Sequence, residues 1–117
     1  MYADCFVIPM PKKGIAAYRT MAKKAGKIWR EHGALDYREC VGDDLKTKFG
    51  IPFGKLAKTK PSEVVVFSWI VYKSKAHRNA VNKKVMADPR LKAMENAKMP
   101  LDVKRMTYGG FKVLVSA

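Results

Sequence analysis

Between Glu63 and Tyr72 the sequence EVVVFSWIVY is apolar at every position except Glu63 and Ser68. A strand with one solvated face alternates apolar and polar side chains, whereas a strand buried on both faces reads as a continuous apolar run. Here Val64, Val66 and Ile70 are as apolar as Val65, Phe67 and Trp69 opposite them. Both faces of the sheet that contains this strand must therefore be covered, and a chain of 117 residues has little to cover them with.

The rest of the chain supplies three more strands and two main helices. YADCFVIPM, residues 2–10, is rich in aromatic and β-branched residues and ends at prolines, as a strand does. From Pro11 the period changes to that of a helix: Ile15, Tyr18, Met21, Ala22, Ala25, Ile28, Trp29 and His32 share one stripe, and Arg19, Lys23, Lys27 and Arg30 the other. Pro11 suits its first turn and Gly33 the position just past its end. ALDYRECVG alternates as a strand, with Leu35, Tyr37, Glu39 and Val41 on one face and Asp36, Arg38 and Cys40 on the other. Residues 43–62 form a long connection, with Phe49, Ile51 and Phe53 expected to tack it to the surface. After the apolar strand, Ser74 caps a helix to about Ala87, with His77, Ala80, Val81 and Val85 on one face. Asp88 and Pro89 open a second, short helix, DPRLKAMENA. KRMTYGGFKVLV, residues 104–115, completes the chain as a strand, with a bulge expected at Gly109 and Gly110.

Strand, helix, strand, repeated once, is the split βαβ pattern of a single α+β domain, 1–117, of ferredoxin-like type: βαββαβ with a four-stranded antiparallel sheet in the order 4-1-3-2. The two helices cover one face. The other presents about 500 Å² if four strands of about eight residues lie side by side, close to the largest apolar patch that monomers expose. Its burial contributes at most about 12 kcal/mol per subunit, so the economical solution is a face-to-face homodimer.

Composition narrows the function classes. Twenty-four basic residues against ten acidic give a net charge of +14, a field that attracts polyanions at low salt. Eighteen of the 24 are lysines spread from Lys12 to Lys112, a hydrated shell rather than an arginine-built phosphate face. Nucleic acid, through helix lysines such as Lys23, Lys24, Lys27, Lys83 and Lys84, is thus a possible but not the favoured partner. The apolar start of the chain is cut by Pro9 and Pro11 and has no basic leader, and no run approaches the about 20 apolar residues of a membrane span. A cytoplasmic location is expected. Cys5 and Cys40 are expected to be reduced: with the third strand between theirs, their backbones lie about 9.6 Å apart, beyond the about 7 Å reach of a disulfide.

Chemistry-bearing residues crowd in REHGALDYREC, Arg30 to Cys40, but His32 ends a helix and Cys40 lies along a strand. The resulting separation of about 20 Å excludes a Cys-His nucleophilic pair. His32 serves the helix C-terminus, and topology delivers His77 to the same end of the sheet, so the two are weaker site candidates. Asp4 is more suggestive, because a carboxylate in a central strand needs a partner or a polar cavity. Arg38, Lys112 and Tyr108 are its candidate companions. A ligand pocket would draw on Asp4, Phe6, Arg38, Trp69 and Tyr108, with Phe67, Met106 and Phe111 as further walls, although strand parity keeps some of these apart. Phosphate loops, zinc-spaced clusters and triad orders are absent from the sequence, so no metal or other cofactor is expected.

Three blocks, KAGKIWREHGALDYRECVGDD, VVVFSWIVYKSKAHRNAVNKKVMADPRLKAM and KRMTYGGFKVLV, resemble the YbaA-like bacterial family, a domain of unknown function. The resemblance implies a dimeric α/β barrel of ferredoxin-like subunits. That superfamily includes cofactor-free monooxygenases, so the resemblance leaves three readings: a ligand-binding dimer, an oxygenase-like enzyme and an RNA-binding protein. It supplies no catalytic residue. Lys73, Lys75 and the lysine-rich segment 43–62 depart from the family pattern.

Overall fold

The computed structural model describes residues 1–95 and 99–117. Four strands, β1 (Tyr2–Pro11), β2 (Asp36–Val41), β3 (Glu63–Tyr72) and β4 (Thr107–Lys112), form one antiparallel sheet in the order β2-β3-β1-β4. This is the order expected above, read from the other edge. Helices α1 (Ile15–Glu31), α3 (Lys75–Met86) and α4 (Pro89–Glu95) belong to one layer, and a one-turn helix α2 (Phe53–Leu56) lies in the long connection. The short helix expected to reach Ala97 is described as far as Glu95, and residues 96–97 lie outside the described residues.

Local chemistry explains most boundaries. β1 runs through both of its prolines, so Pro11 ends the strand instead of starting the helix, and a 3-10 turn at Lys12–Gly14 precedes α1. The Lys12 N–H points to β3, donating to the Ser62 carbonyl at 3.1 Å. The missing N–H groups of Pro9 and Pro11 therefore face the other side, where β4 has already stopped pairing at Val7. No ladder bond is lost. α1 ends as expected on Gly33, whose φ of 116° no other residue adopts cheaply. Ser74 caps α3 by accepting from the His77 N–H at 3.0 Å, and Asp88 caps α4 by accepting from the Arg90 N–H at 2.9 Å.

Three expectations are corrected. The glycine pair makes no bulge: β4 keeps an unbroken register on β1, from Tyr2 opposite Lys112 to Val7 opposite Thr107. Gly110 is needed because the Tyr2 ring crosses it, and a Cβ there would sit 2.7 Å from two ring carbons. The strand also stops at Lys112, leaving Leu114 and Val115 exposed. In the long connection Phe49 and Ile51 do not pack and are 87% and 71% exposed, whereas Phe53 meets Phe67 edge-on at 5.8 Å.

The core lies between sheet and helices. Ile8, Met10 and Val66 meet Tyr18 and Ala22 of α1 at one end, and Ile70 and Tyr72 meet Ile28, Val81, Val85 and Leu91 at the other. Register thus settles the parity of β3: Val66, Ser68, Ile70 and Tyr72 are buried under the helices, while Phe67, Trp69 and Val71 on the other face are only half-buried. Among the described residues, α2 and its flanks cover one end of that second face, around Val65 and Phe67. The remainder is open.

Candidate functional site

Where the helix layer stands off the sheet, a half-open cavity of about 490 Å³ lies between them. Its floor is built by register. Phe6 lies opposite Ser68 and Tyr108, Ser68 opposite Glu39, and Asp4 opposite Ile70 and Gly110. Its roof comes from α1 (Met21, Ala25, Trp29), α3 (Arg78, Asn82, Met86), α4 (Leu91, Met94) and the segment from Met99 to Met106. Five methionines line it: Met21, Met86, Met94, Met99 and Met106. Methionine is flexible and polarisable, so such walls adapt to an apolar body of irregular shape.

The polar groups gather at two places. Asp4, 7% exposed, has its Oδ1 3.5 Å from Arg78 Nε. Burial pushes the Asp4 carboxyl above its ordinary range, an effect that Arg78, Asn82 and Tyr72 oppose. Arg78 donates from Nη2 to Tyr2 Oη at 3.0 Å, and its guanidinium lies 5.0 Å from the centre of the Tyr2 ring. Asn82 Oδ1 accepts from Tyr72 Oη at 3.1 Å and from Trp29 Nε1 at 3.2 Å. The second place is Glu39, whose two oxygens accept from Tyr18 Oη and Tyr37 Oη, each at 2.8 Å. Burial, and then the Glu39 charge, pushes both phenols well above their ordinary value, so both remain donors at neutral pH. Gly26 permits this arrangement, because a Cβ there would lie 2.7 Å from the Tyr37 ring. Outside the cavity, Glu39, Tyr18 and Tyr37 also border an open groove of about 410 Å³ along α1, flanked by Arg19, Lys23, Lys27 and Arg30.

Of the residues singled out from the sequence, Asp4, Phe6 and Tyr108 share this cavity, and the Phe6 and Tyr108 rings stack at 5.7 Å. Arg38 and Trp69 do not join them. Both lie on the opposite sheet face, where Asp36 accepts from Arg38 Nε at 3.2 Å and from Trp69 Nε1 at 3.1 Å. Of the other proposed walls, Met106 lines the cavity, while Phe67 and Phe111 face away from it. His32 and His77 do meet the same end of the sheet, yet each is separately engaged. His32 Nε2 lies 2.8 Å from Asp88 Oδ2, tying α1 to the cap of α4, and His77 Nδ1 accepts the Lys73 N–H at 3.0 Å. Among the described residues no group of three or more side chains could hold a metal ion.

Asp4 meets Arg78 in place of Arg38 or Lys112, and sequence reasoning missed Arg78, Asn82, Ser68 and Glu39 as parts of the site. A signal for the first two was present. Arg78 and Asn82 stand at i and i+4 and flank Val81 and Val85, the buried positions of α3. The inward face of that helix is centred on them, and Ala80 is exposed.

With the geometry in place, comparison with known proteins gives the family. Residues 1–103 match the family described as Protein of unknown function (DUF1428). The chain belongs to this family. It is 44% identical over 114 residues to the uncharacterized protein YbaA of Escherichia coli K12, covering 97% of each chain, and equally similar to YbaA of Shigella flexneri. Among solved structures it is similar to protein Atu4242 from Agrobacterium tumefaciens, with a TM-score of 0.58 at 17% identity over 96% of this chain and 92% of that one. It is also similar to an uncharacterized NIPSNAP domain protein from Burkholderia xenovorans, with a TM-score of 0.50 at 14% identity over 100% and 95%. At these identities the likeness concerns the fold. The DUF1428 chain is thus an α+β protein with an open four-stranded antiparallel sheet, and no helix among the described residues is long and apolar enough to cross a membrane.

Proposed function

We propose that this DUF1428 protein is a small-molecule-binding homodimer: one ferredoxin-like domain per chain, two chains joined through their open sheet faces as a dimeric α/β barrel, and one ligand cavity in each. The observation that carries the ligand reading is the cavity of about 490 Å³ with five methionines in its walls and few polar groups, the Asp4 and Glu39 clusters with Ser68 and Glu95. Binding sites for small molecules combine apolar walls with a few placed polar groups in this way. The dimer reading is supported by half-buried Phe67, Trp69 and Val71 and by Phe111, 59% exposed, all on the face the helices do not reach. Two free thiols suit a reducing, cytoplasmic setting.

Native mass spectrometry of freshly purified protein tests both parts at once, since it reports stoichiometry and retained small molecules together. Ala25 lines the cavity from α1, so Ala25→Trp fills it without touching the open face. A dimer that loses its retained molecule, or its binding of an apolar dye, in Ala25→Trp is the expected result. A wild-type chain that takes up no apolar probe refutes the ligand reading.

A further inference from the structure

We propose that the cavity takes an apolar ammonium compound, a protonated amine on an aromatic or aliphatic body, with the cation held above Ser68 between the carboxylates of Glu39 and Asp4. The proposal rests on the reading of the cavity as a ligand site and names the class of molecule it accepts.

The sign of the cavity is opposite to that of the molecule. The chain carries +14, yet among the described residues the cavity is lined by Asp4, Glu39 and Glu95 against one cation, Arg78. Arg78 donates from Nη2 to Tyr2 and pairs with Asp4 at 3.5 Å, while its buried Nε makes no hydrogen bond. Glu39 has no cationic partner among the described residues, and each of its oxygens accepts one phenol. A carboxylate offers about four acceptor positions, so Glu39 keeps places for a donor brought from outside.

Ser68 supplies an independent observation. It is 4% exposed and lines the cavity, and its hydroxyl has no hydrogen-bond partner among the described residues. It lies on the cavity floor directly between Glu39 and Phe6 in the register. A ligand N–H group above it can donate to the Ser68 oxygen and to Glu39 together, through charge-assisted bonds. Phe6, Trp29 and Tyr108 also line the cavity, and aromatic rings attract a cation through their ring electrons. A carboxylic acid seated there would instead meet Glu39 head-on. Exposed charges more than about 8 Å away are screened at physiological ionic strength, so of the basic shell it is Arg19, Lys23, Lys27 and Arg30, in the groove that Glu39 borders, whose repulsion the two carboxylates must outweigh.

Calorimetric titration of the full chain with three probes on one skeleton tests this: 2-(1-naphthyl)ethylamine, 2-(1-naphthyl)ethanol and 1-naphthylacetate. The amine is expected to bind at least about tenfold more tightly than the alcohol, with the acetate weakest. In Glu39→Gln, checked for folding by thermal unfolding, the preference for the amine over the alcohol is expected to disappear, and a preference that persists overturns the proposal. If the acetate binds best, or all three bind alike, the ammonium assignment is overturned and the cavity reading stands. If none binds, the cavity reading falls and this proposal with it. Should Glu39→Gln not fold, the wild-type chain still decides, by comparing the amine with its neutral N-acetyl derivative, which is expected to lose the same factor and overturns the proposal if it does not.

Discussion

Phe67→Lys separates the two faces of the sheet. Phe67 lies near the middle of β3, opposite Val7 of β1 and Cys40 of β2, on the face away from the helices. In the isolated subunit it packs edge-on against Phe53, a contact worth about 1 kcal/mol, so the variant chain should fold with a small loss of stability. In a symmetric dimer the change occurs twice. Each Phe67 then forfeits about 2 kcal/mol of burial, and each lysine adds about 2 kcal/mol or more for an unpaired ammonium against an apolar surface. The sum is about 8 kcal/mol per dimer. Even if half is recovered by the lysine side chain bending to solvent, association weakens about a thousandfold, since 1.4 kcal/mol is tenfold. Sedimentation equilibrium at micromolar concentration should show an unmodified dimer and a folded Phe67→Lys monomer. Val66→Lys is the companion: Val66 is 1% exposed under α1, and an ammonium there should leave little folded protein. A Phe67→Lys chain as dimeric as the parent, or a parent that is monomeric, would refute the assignment of the open face to a partner.

Gly110→Ala should lower the thermal midpoint by several degrees, because its Cβ must displace the Tyr2 ring from Arg78 at a cost of about 1–3 kcal/mol. Gly109→Ala, whose Cβ meets nothing closer than Phe111 Cε1 at 3.9 Å, should be close to neutral; equal effects at the two glycines would contradict the register. Glu63 is held down to about 2 from 4.5, first by its hydrogen bonds from Arg105 and then by the Lys60 N–H. A depressed folded value stabilises above the unfolded one and is lost as pH falls through the folded one, so Glu63→Gln should be less stable than the parent at neutral pH, with the gap closing between about pH 4.5 and pH 2. Denaturant titrations at three pH values read this, and a gap that persists at the acid end counts against it. Denatured without reductant, the chain should release two thiols to a chromogenic reagent, because β3 lies between the strands that carry Cys5 and Cys40; an intrachain disulfide would break the strand order.

Legibility followed the range of the interactions involved. The caps at Ser74 and Asp88 and the glycine at Gly33 act within one turn, so residue type alone announces them. The Gly109–Gly110 pair was misread because only one member is constrained, and the constraint comes from Tyr2, more than a hundred residues earlier in the chain. Asp4 was noticeable as a carboxylate in an apolar strand. Its partner was not, since Arg78 reaches it from a helix that only the packed layer brings near.

What the sequence determined alone is the set of strands and helices, their split βαβ order and the presence of an apolar surface beyond what two helices can cover. Periodicity and chain connectivity encode these, and both are local or topological. Which of Val66 and Phe67 points to the helices, and that Arg38 and Trp69 turn away from Asp4, only the register decided, because a shift of one residue reverses every side chain of a strand. The cavity itself is likewise a tertiary property. Gly26 lets α1 settle on Tyr37, and side chains of α1, α3, α4 and the Met99–Met106 segment roof the floor that holds Ser68, an arrangement no single segment carries.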